Sequence, residues 1–261
     1  MRPYIRGMVQ ADLRTNGRTE TQGPILCGQS LVRVTSYNIR KAVGLDWRRD
    51  SGRIVDVLAE IDADVVVLQE SDKRVGKRSG VLPEERLQHE LGYRLVDVST
   101  RPHSHGWHGN AILYRPNRLS LDKAKRIDLP TVEPRGAVAA VFAAPGLEVI
   151  GVHLALMRSV RARQMQRLGQ YLATASHPII VAGDFNAWAK EGHRAALGKG
   201  CEMILPGNSF HASRPVAALD RFVLKGAVMH AASHVHVSAL ASRASDHLPI
   251  VIDLDLSGDP Q

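Results

Sequence analysis

The chain has 261 residues, 44% of them hydrophobic and 23% charged, the proportions of a soluble globular protein, which excludes disorder throughout. Lys and Arg number 34 against 26 Asp and Glu, a net charge of +8 that favours an anionic partner such as nucleic acid, a phosphorylated metabolite or a phospholipid headgroup. No apolar run approaches the ~18 residues needed to cross a bilayer, and residues 1–30 lack the apolar core of a secretory signal, so the expectation is a cytoplasmic monomer. Cys27 and Cys201 lie far apart without metal-ligand spacing and are expected to be thiols.

The segment 1–30, rich in Gly, Thr, Gln and Arg, reads as a flexible tail. Leu31–Asn38 alternates apolar and polar positions and predicts a strand. Asp50–Ile61 then carries Ile54, Val55, Leu58 and Ile61 at helical spacing. The run Asp64–Gln69 holds four consecutive apolar residues, as a strand buried on both faces does. A helix is expected over Glu84–Leu91, then strands near Tyr93–Val98, Asn110–Arg115, Gly136–Ala143 and Leu147–Leu154. Ser159–Ala173 has Val160, Met165, Leu168 and Leu172 along one side, and Arg158, Arg161, Arg163 and Arg167 read as the wet face of that helix, with a nucleic-acid backbone track as the alternative. Strands over Pro178–Ala182, Ala218–Leu224, Ala227–Val237 and Leu248–Leu256 complete one α/β domain spanning 31–256, followed by a short tail at 257–261.

Polar residues interrupt this pattern at strand ends. Asn38 closes the first strand and Glu70 the second; His153 closes a later one, Asp184 and Asn186 another, and Asp220 and Asp246-His247 edge the last two. Any one of them alone is an ordinary turn former. Together they place carboxylates, amides and histidines at the mouths of adjacent strands, where they can converge on one cleft. Such a set suits metal-assisted attack on a phosphate ester, whose negative oxygens demand charge neutralisation, a positioned water and a stabilised leaving oxygen. Mg²⁺, with Mn²⁺ as a substitute, takes oxygen ligands; Glu70 is the first choice, Asp246 the second and Asn38 a neutral oxygen. Asp184 is placed to align the attacking water, and Asn186, two positions on in a segment read as extended, to donate its amide to phosphate. Adjacent residues in an extended segment face opposite ways, so His247 needs a carboxylate other than Asp246, and Asp220 supplies it.

The ordered set Tyr37-Asn38-Ile39-Arg40, Leu68-Gln69-Glu70, Gly109-Asn110, Pro134-Arg135-Gly136, Val152-His153-Leu154, Gly183-Asp184-Phe185-Asn186, Leu219-Asp220-Arg221 and Ser245-Asp246-His247-Leu248-Pro249 resembles the endonuclease/exonuclease/phosphatase superfamily over roughly 31–256. That resemblance implies a four-layer αββα sandwich, two mixed β-sheets packed face to face between helices. It also implies Glu70, with Asn38 and Asp246, near the metal; Asp184 and Asn186 as the water-activating and phosphate-orienting pair; Asp220 and His247 on the scissile phosphate; and Arg135 and His153 extending the site. A second histidine at His153 is a deoxyribonuclease-like and sphingomyelinase-like feature that apurinic-site endonucleases lack. Deoxyribonuclease I keeps a glutamate where this chain reads Trp107-His108-Gly109-Asn110, so the resemblance assigns His153 to phosphate binding, with Asn110 as its neutral partner.

The expected activity is Mg²⁺-dependent hydrolysis of a phosphodiester, with nucleic acid ahead of phospholipid or small phosphoesters; a non-catalytic anion-binding protein is the rival from another class. The loop holding His103, His105 and His108 and the stretch with Lys73, Arg74, Lys77 and Arg78 are candidates for a rim around the site. His230, His234 and His236 read as a polar sheet face.

Overall fold

The computed structural model, which describes residues 31–131, 136–188 and 194–256, starts with strand β1 (Leu31–Asn38) at the middle of a six-stranded sheet. Helix α1 (Ser51–Ile61) follows, and strand β2 (Val65–Gln69) returns parallel to β1. Asp50 starts α1 by accepting a hydrogen bond from the Arg53 backbone N–H at 3.1 Å, a cap worth about 1 kcal/mol. The helix stops where Asp62 turns left-handed at φ 53°. Helix α2 (Glu84–His89), strand β3 (Arg94–Leu95) and strand β4 (Ala111–Tyr114) complete the first crossing of this sheet. The strand expected over Tyr93–Val98 is only the two-residue β3, although the Val96 N–H still donates to the Ile112 carbonyl of β4 at 2.9 Å.

The second sheet takes strands β5 (Ser120–Asp128), β6 (Gly136–Ala144), β7 (Leu147–His153), β8 (Ile179–Asp184), β9 (Cys201–Ile204) and β10 (Asp220–Lys225), in the order β5-β6-β7-β8-β10-β9. Helix α3 (Arg158–Ala173) makes the crossover between the parallel strands β7 and β8. The chain then returns to the first sheet through β11 (Met229–Val235), the short helix α4 (Ala241–Ala244) and β12 (Ile250–Asp255), giving the order β11-β12-β1-β2-β4-β3.

Three apolar layers hold four structural ones together. Between the sheets, Val34, Val65, Val67 and Ile112 meet Val138, Phe142, Val149, Ile180 and Phe222. Outside the first sheet, Val66 and Leu68 lie under Ile54, Val55, Leu58 and Ile61 of α1; outside the second, Ile150, Val152 and Val181 lie under Met165, Leu168 and Leu172 of α3. Each side chain of this size contributes about 1.5–3 kcal/mol when fully buried. The unbroken Val65–Leu68 run follows from this arrangement, since alternate residues of β2 feed two different apolar layers. The result is the expected αββα sandwich.

Arg161 departs from the expected wet face of α3. It is buried and its Nη1 donates to the carbonyls of Ala155 (2.9 Å) and Leu156 (2.8 Å), fixing the loop after β7. Arg135, Cys27 and the two tails lie outside the described residues.

Candidate active site

Both parallel strand pairs open at one mouth. Asn38 stands opposite Gln69 at the close of β1 and β2, while His153, Asp184 and Asp220 stand in register across β7, β8 and β10. The two sheets touch there, because Asn38 Nδ2 donates to Asp184 Oδ2 at 3.2 Å. The same oxygen lies 3.4 Å from His153 Nε2 and 3.8 Å from His247 Nε2. Three nitrogens, two from strand ends and one from the loop before β12, therefore converge on one buried carboxylate.

Gly183 makes this register possible. A Cβ at that position would run into the Val152 carbonyl, so a larger residue would force β7 and β8 apart just where they set His153 opposite Asp184.

Asn186 is not extended, as the sequence reading had it. Its φ is +49°, its backbone N–H donates to Asp184 Oδ1 at 2.8 Å, and its Nδ2 donates to the Leu154 carbonyl at 2.9 Å. Asp184 thus closes a turn with its own oxygen, and one amide hydrogen of Asn186 is engaged by the end of β7. Asparagine tolerates this left-handed backbone better than most residues.

His247 turns away from its neighbour. Its Nδ1 lies 2.8 Å from Asp220 Oδ2, and Ser209 Oγ donates to that same oxygen at 2.5 Å. Burial pulls the imidazole pKa down, but the Asp220 carboxylate, aided by Asp184 and Asp246, outweighs it and raises the value to about 9. His247 is therefore a cation at neutral pH. Asp220 Oδ1 is buried without a hydrogen-bond partner among the described residues.

Glu70 and Asp246 form the other side of the mouth. Glu70, one residue beyond β2, has a φ of +54°, a strained value for a residue with a side chain, and its carbonyl accepts from the Lys41 N–H at 3.1 Å. Arg40, Lys41 and Ala42 are also left-handed, at roughly 1–2 kcal/mol of strain each. This turn aims Lys41 Nζ at Glu70 Oε2, and it puts Arg40 Nε 3.4 Å from Asp246 Oδ2 with the guanidinium over the Trp47 ring. Ser245 Oγ joins the two halves, donating to the Asn38 carbonyl at 2.7 Å and approaching Asp246 Oδ1 at 3.3 Å.

Two donor sets bear on a metal. Asp184, Asp220 and His247 present ligand atoms within 4.8 Å of one another. In that set, however, His247 Nδ1 already faces Asp220 at 2.8 Å, so an ion there would have to displace that contact or use Nε2. Glu70, Asp246 and Asn38 offer oxygen atoms only, and both carboxylates remain about a quarter exposed, at 22% and 24%. Hard oxygen donors with room for water suit Mg²⁺. Lys41 and Arg40 already pair with these carboxylates, so a metal held there would compete with their cationic groups.

Asn110 is not the expected partner of His153: it is buried, its Nδ2 donates to the Gly136 carbonyl at 2.9 Å, and its Oδ1 has no hydrogen-bond partner among the described residues. His105 is structural, its Nε2 accepting from the Leu82 N–H at 2.9 Å. Lys41, Ser209 and Trp47 had no signal in the sequence pattern, since they reach the site across loops. Only the family order of motifs could have drawn attention to the turn that carries Lys41.

A model of the endonuclease/exonuclease/phosphatase family matches residues 35–247, from β1 through His247. The chain belongs to that family. Its members are hydrolytic phosphoesterases. The Escherichia coli (strain K12) protein YbhP is 27% identical over 164 residues, which are 58% of this chain and 64% of YbhP. The chain thus spans less than two thirds of the length of that relative. Among solved structures, D. rerio TDP2 in complex with a single-strand DNA product superposes with a TM-score of 0.67 at 18% identity, covering 87% of this chain and 99% of that one. The human nocturnin catalytic domain with bound sulfate superposes with a TM-score of 0.63 at 21% identity, covering 87% and 94%. These likenesses show a shared fold.

Proposed function

We propose that the protein is a Mg²⁺-dependent phosphodiesterase that cleaves nucleic acid strands. The observation that carries this reading is the convergence of Asn38, His153 and His247 on Asp184, opposite the carboxylates of Glu70 and Asp246. Glu70 and Asp246, with Asn38, would hold the metal; when bound, it offsets negative charge on the phosphate oxygens. Asp184, its Oδ1 fixed by the Asn186 N–H, orients the attacking water through Oδ2 and accepts its proton. His247, kept cationic by Asp220, faces the phosphate oxygens from beside Asp184 and stabilises charge that builds up in the transition state. His153 adds a second contact on the same phosphate, and Asn110 extends the set.

Nucleic acid is favoured by the net charge of +8 and by cationic loops around the mouth, and the likeness to a TDP2 bound to single-strand DNA agrees with it. A specific observation also favours a second reading, a phospholipid diester. The loops carrying the site expose Trp47, Leu156, Met157, Trp188 and Val216, side chains that an interfacial enzyme would press into a bilayer. Plasmid nicking, oligonucleotide cleavage and phospholipid release from vesicles, run on one preparation, decide between them. The nucleic-acid reading predicts turnover of DNA or RNA that is lost in Asp184→Asn; lipid turnover alone would overturn it.

A further inference from the structure

A cavity of about 400 Å³ opens beside Glu70 and His153, between the loops at 72–80 and 100–109. Lys73, Arg74, Arg78, Arg101 and His108 line it, together with Lys41 at its inner end. Its two carboxylates are both engaged: Glu70 with Lys41, and Asp72 with the Ser104 hydroxyl (2.6 Å) and the His105 N–H (2.9 Å). None of Lys73, Arg74, Arg78 and Arg101 has a carboxylate partner among the described residues, whereas Arg33, Arg53, Arg86 and Arg115 elsewhere all do. Burial, then the neighbouring Arg78 and Arg101, lower the pKa of His108. Cations gathered without counter-charge repel one another, and an anion entering between them relieves that repulsion.

The walls are preformed. Gly80 N–H donates to the His103 carbonyl (2.6 Å), Leu82 N–H to His105 Nε2 (2.9 Å) and Ser71 N–H to the Gly109 carbonyl (3.0 Å), so the two loops hold each other and the end of β2. Trp107 is wedged against Gly136, where any Cβ would collide with its ring, and its centroid lies 4.4 Å from that of His108.

Resting on the nuclease reading above, we propose that this cavity is a subsite for a second phosphate of a single-stranded nucleic acid, one nucleotide along from the phosphate that is cleaved. Cations that grip the backbone beside aromatic rings on which a base can stack are what single strands require, and a recess between two loops admits a flexible strand more readily than a rigid duplex.

The test is fluorescence anisotropy of a labelled single-stranded oligonucleotide in EDTA, with wild type and Arg78→Ala/Arg101→Ala. Binding should weaken by about tenfold or more in the variant, and the slope of log affinity against log salt should become shallower by about one unit per lost contact. Arg78→Lys/Arg101→Lys should restore most of the binding. Equal binding by wild type and the alanine variant overturns the subsite, as does a loss confined to anionic phospholipid vesicles. Because no catalysis is needed, failure of the nuclease reading shows up separately, as absent hydrolysis by the metal-loaded wild type.

Discussion

His247 Nδ1 lies 2.8 Å from Asp220 Oδ2, while Asp246, its neighbour in the chain, faces Arg40. Two adjacent residues thus serve opposite sides of the mouth, one through β10 and the other through the turn after β1. If the pair acts as a unit, removing either member should cost most of what removing both costs. Asp220→Asn and His247→Gln should each lower kcat by about 100-fold or more, with the double variant little worse than either single one. Additive losses would separate the two residues.

The same pairing has a pH signature. The folded pKa of His247 is raised to about 9, so the stability contributed by the ion pair is fully present below the unfolded value of about 6.5 and is lost as pH rises toward 9. In metal-free protein, an NMR titration should follow the imidazole to about 9, and Asp220→Asn should bring it down. A wild-type value near the unperturbed one would contradict the pairing.

His105 behaves oppositely. Burial pushes its pKa down against the pull of Asp72 and Glu84, and its Nε2 must stay unprotonated to accept from Leu82. A depressed folded pKa contributes stability above about pH 6.5 that is lost as pH falls through the folded value. Amide protection in residues 80–82 and 103–108, corrected for intrinsic exchange, should therefore fall selectively on acidification. Uniform loss across both sheets would count against this local role.

Gly183→Ala places a methyl group against the Val152 carbonyl. It should destabilise the fold by about 1–3 kcal/mol and reduce activity further than stability explains, because His153 and Asp184 lose their register. A variant with unchanged melting temperature and turnover would show that β7 and β8 tolerate the shift.

Much of this architecture is legible from residue order because its central strands are buried on both faces. β2 announces itself as Val65-Val66-Val67-Leu68, and α1 by the spacing of Ile54, Leu58 and Ile61. Edge strands gave no such signal: β5 carries Asp122, Lys123, Lys125 and Arg126, charges that protect an exposed edge but mask its periodicity, and β9 is four residues long. At the site, strand-end residues such as Asn38, Asp184 and His153 were visible because a break in an apolar run marks them. Lys41 and Ser209 were not, since their partners Glu70 and Asp220 lie 29 and 11 positions away across loops. Asn186 was misread as extended because an Asp-Phe-Asn segment does not reveal a left-handed backbone.

Turnover of bis-p-nitrophenyl phosphate with Mg²⁺ isolates the reaction centre, because this ester needs none of the surrounding loops. The wild type should hydrolyse it, EDTA should abolish the reaction, and Glu70→Gln and Asp184→Asn should each reduce it by about 100-fold or more. Wild-type turnover that survives both substitutions would contradict the assignment of the site, and a metal-loaded wild type inactive on this ester, on nucleic acid and on lipid would contradict the enzyme itself.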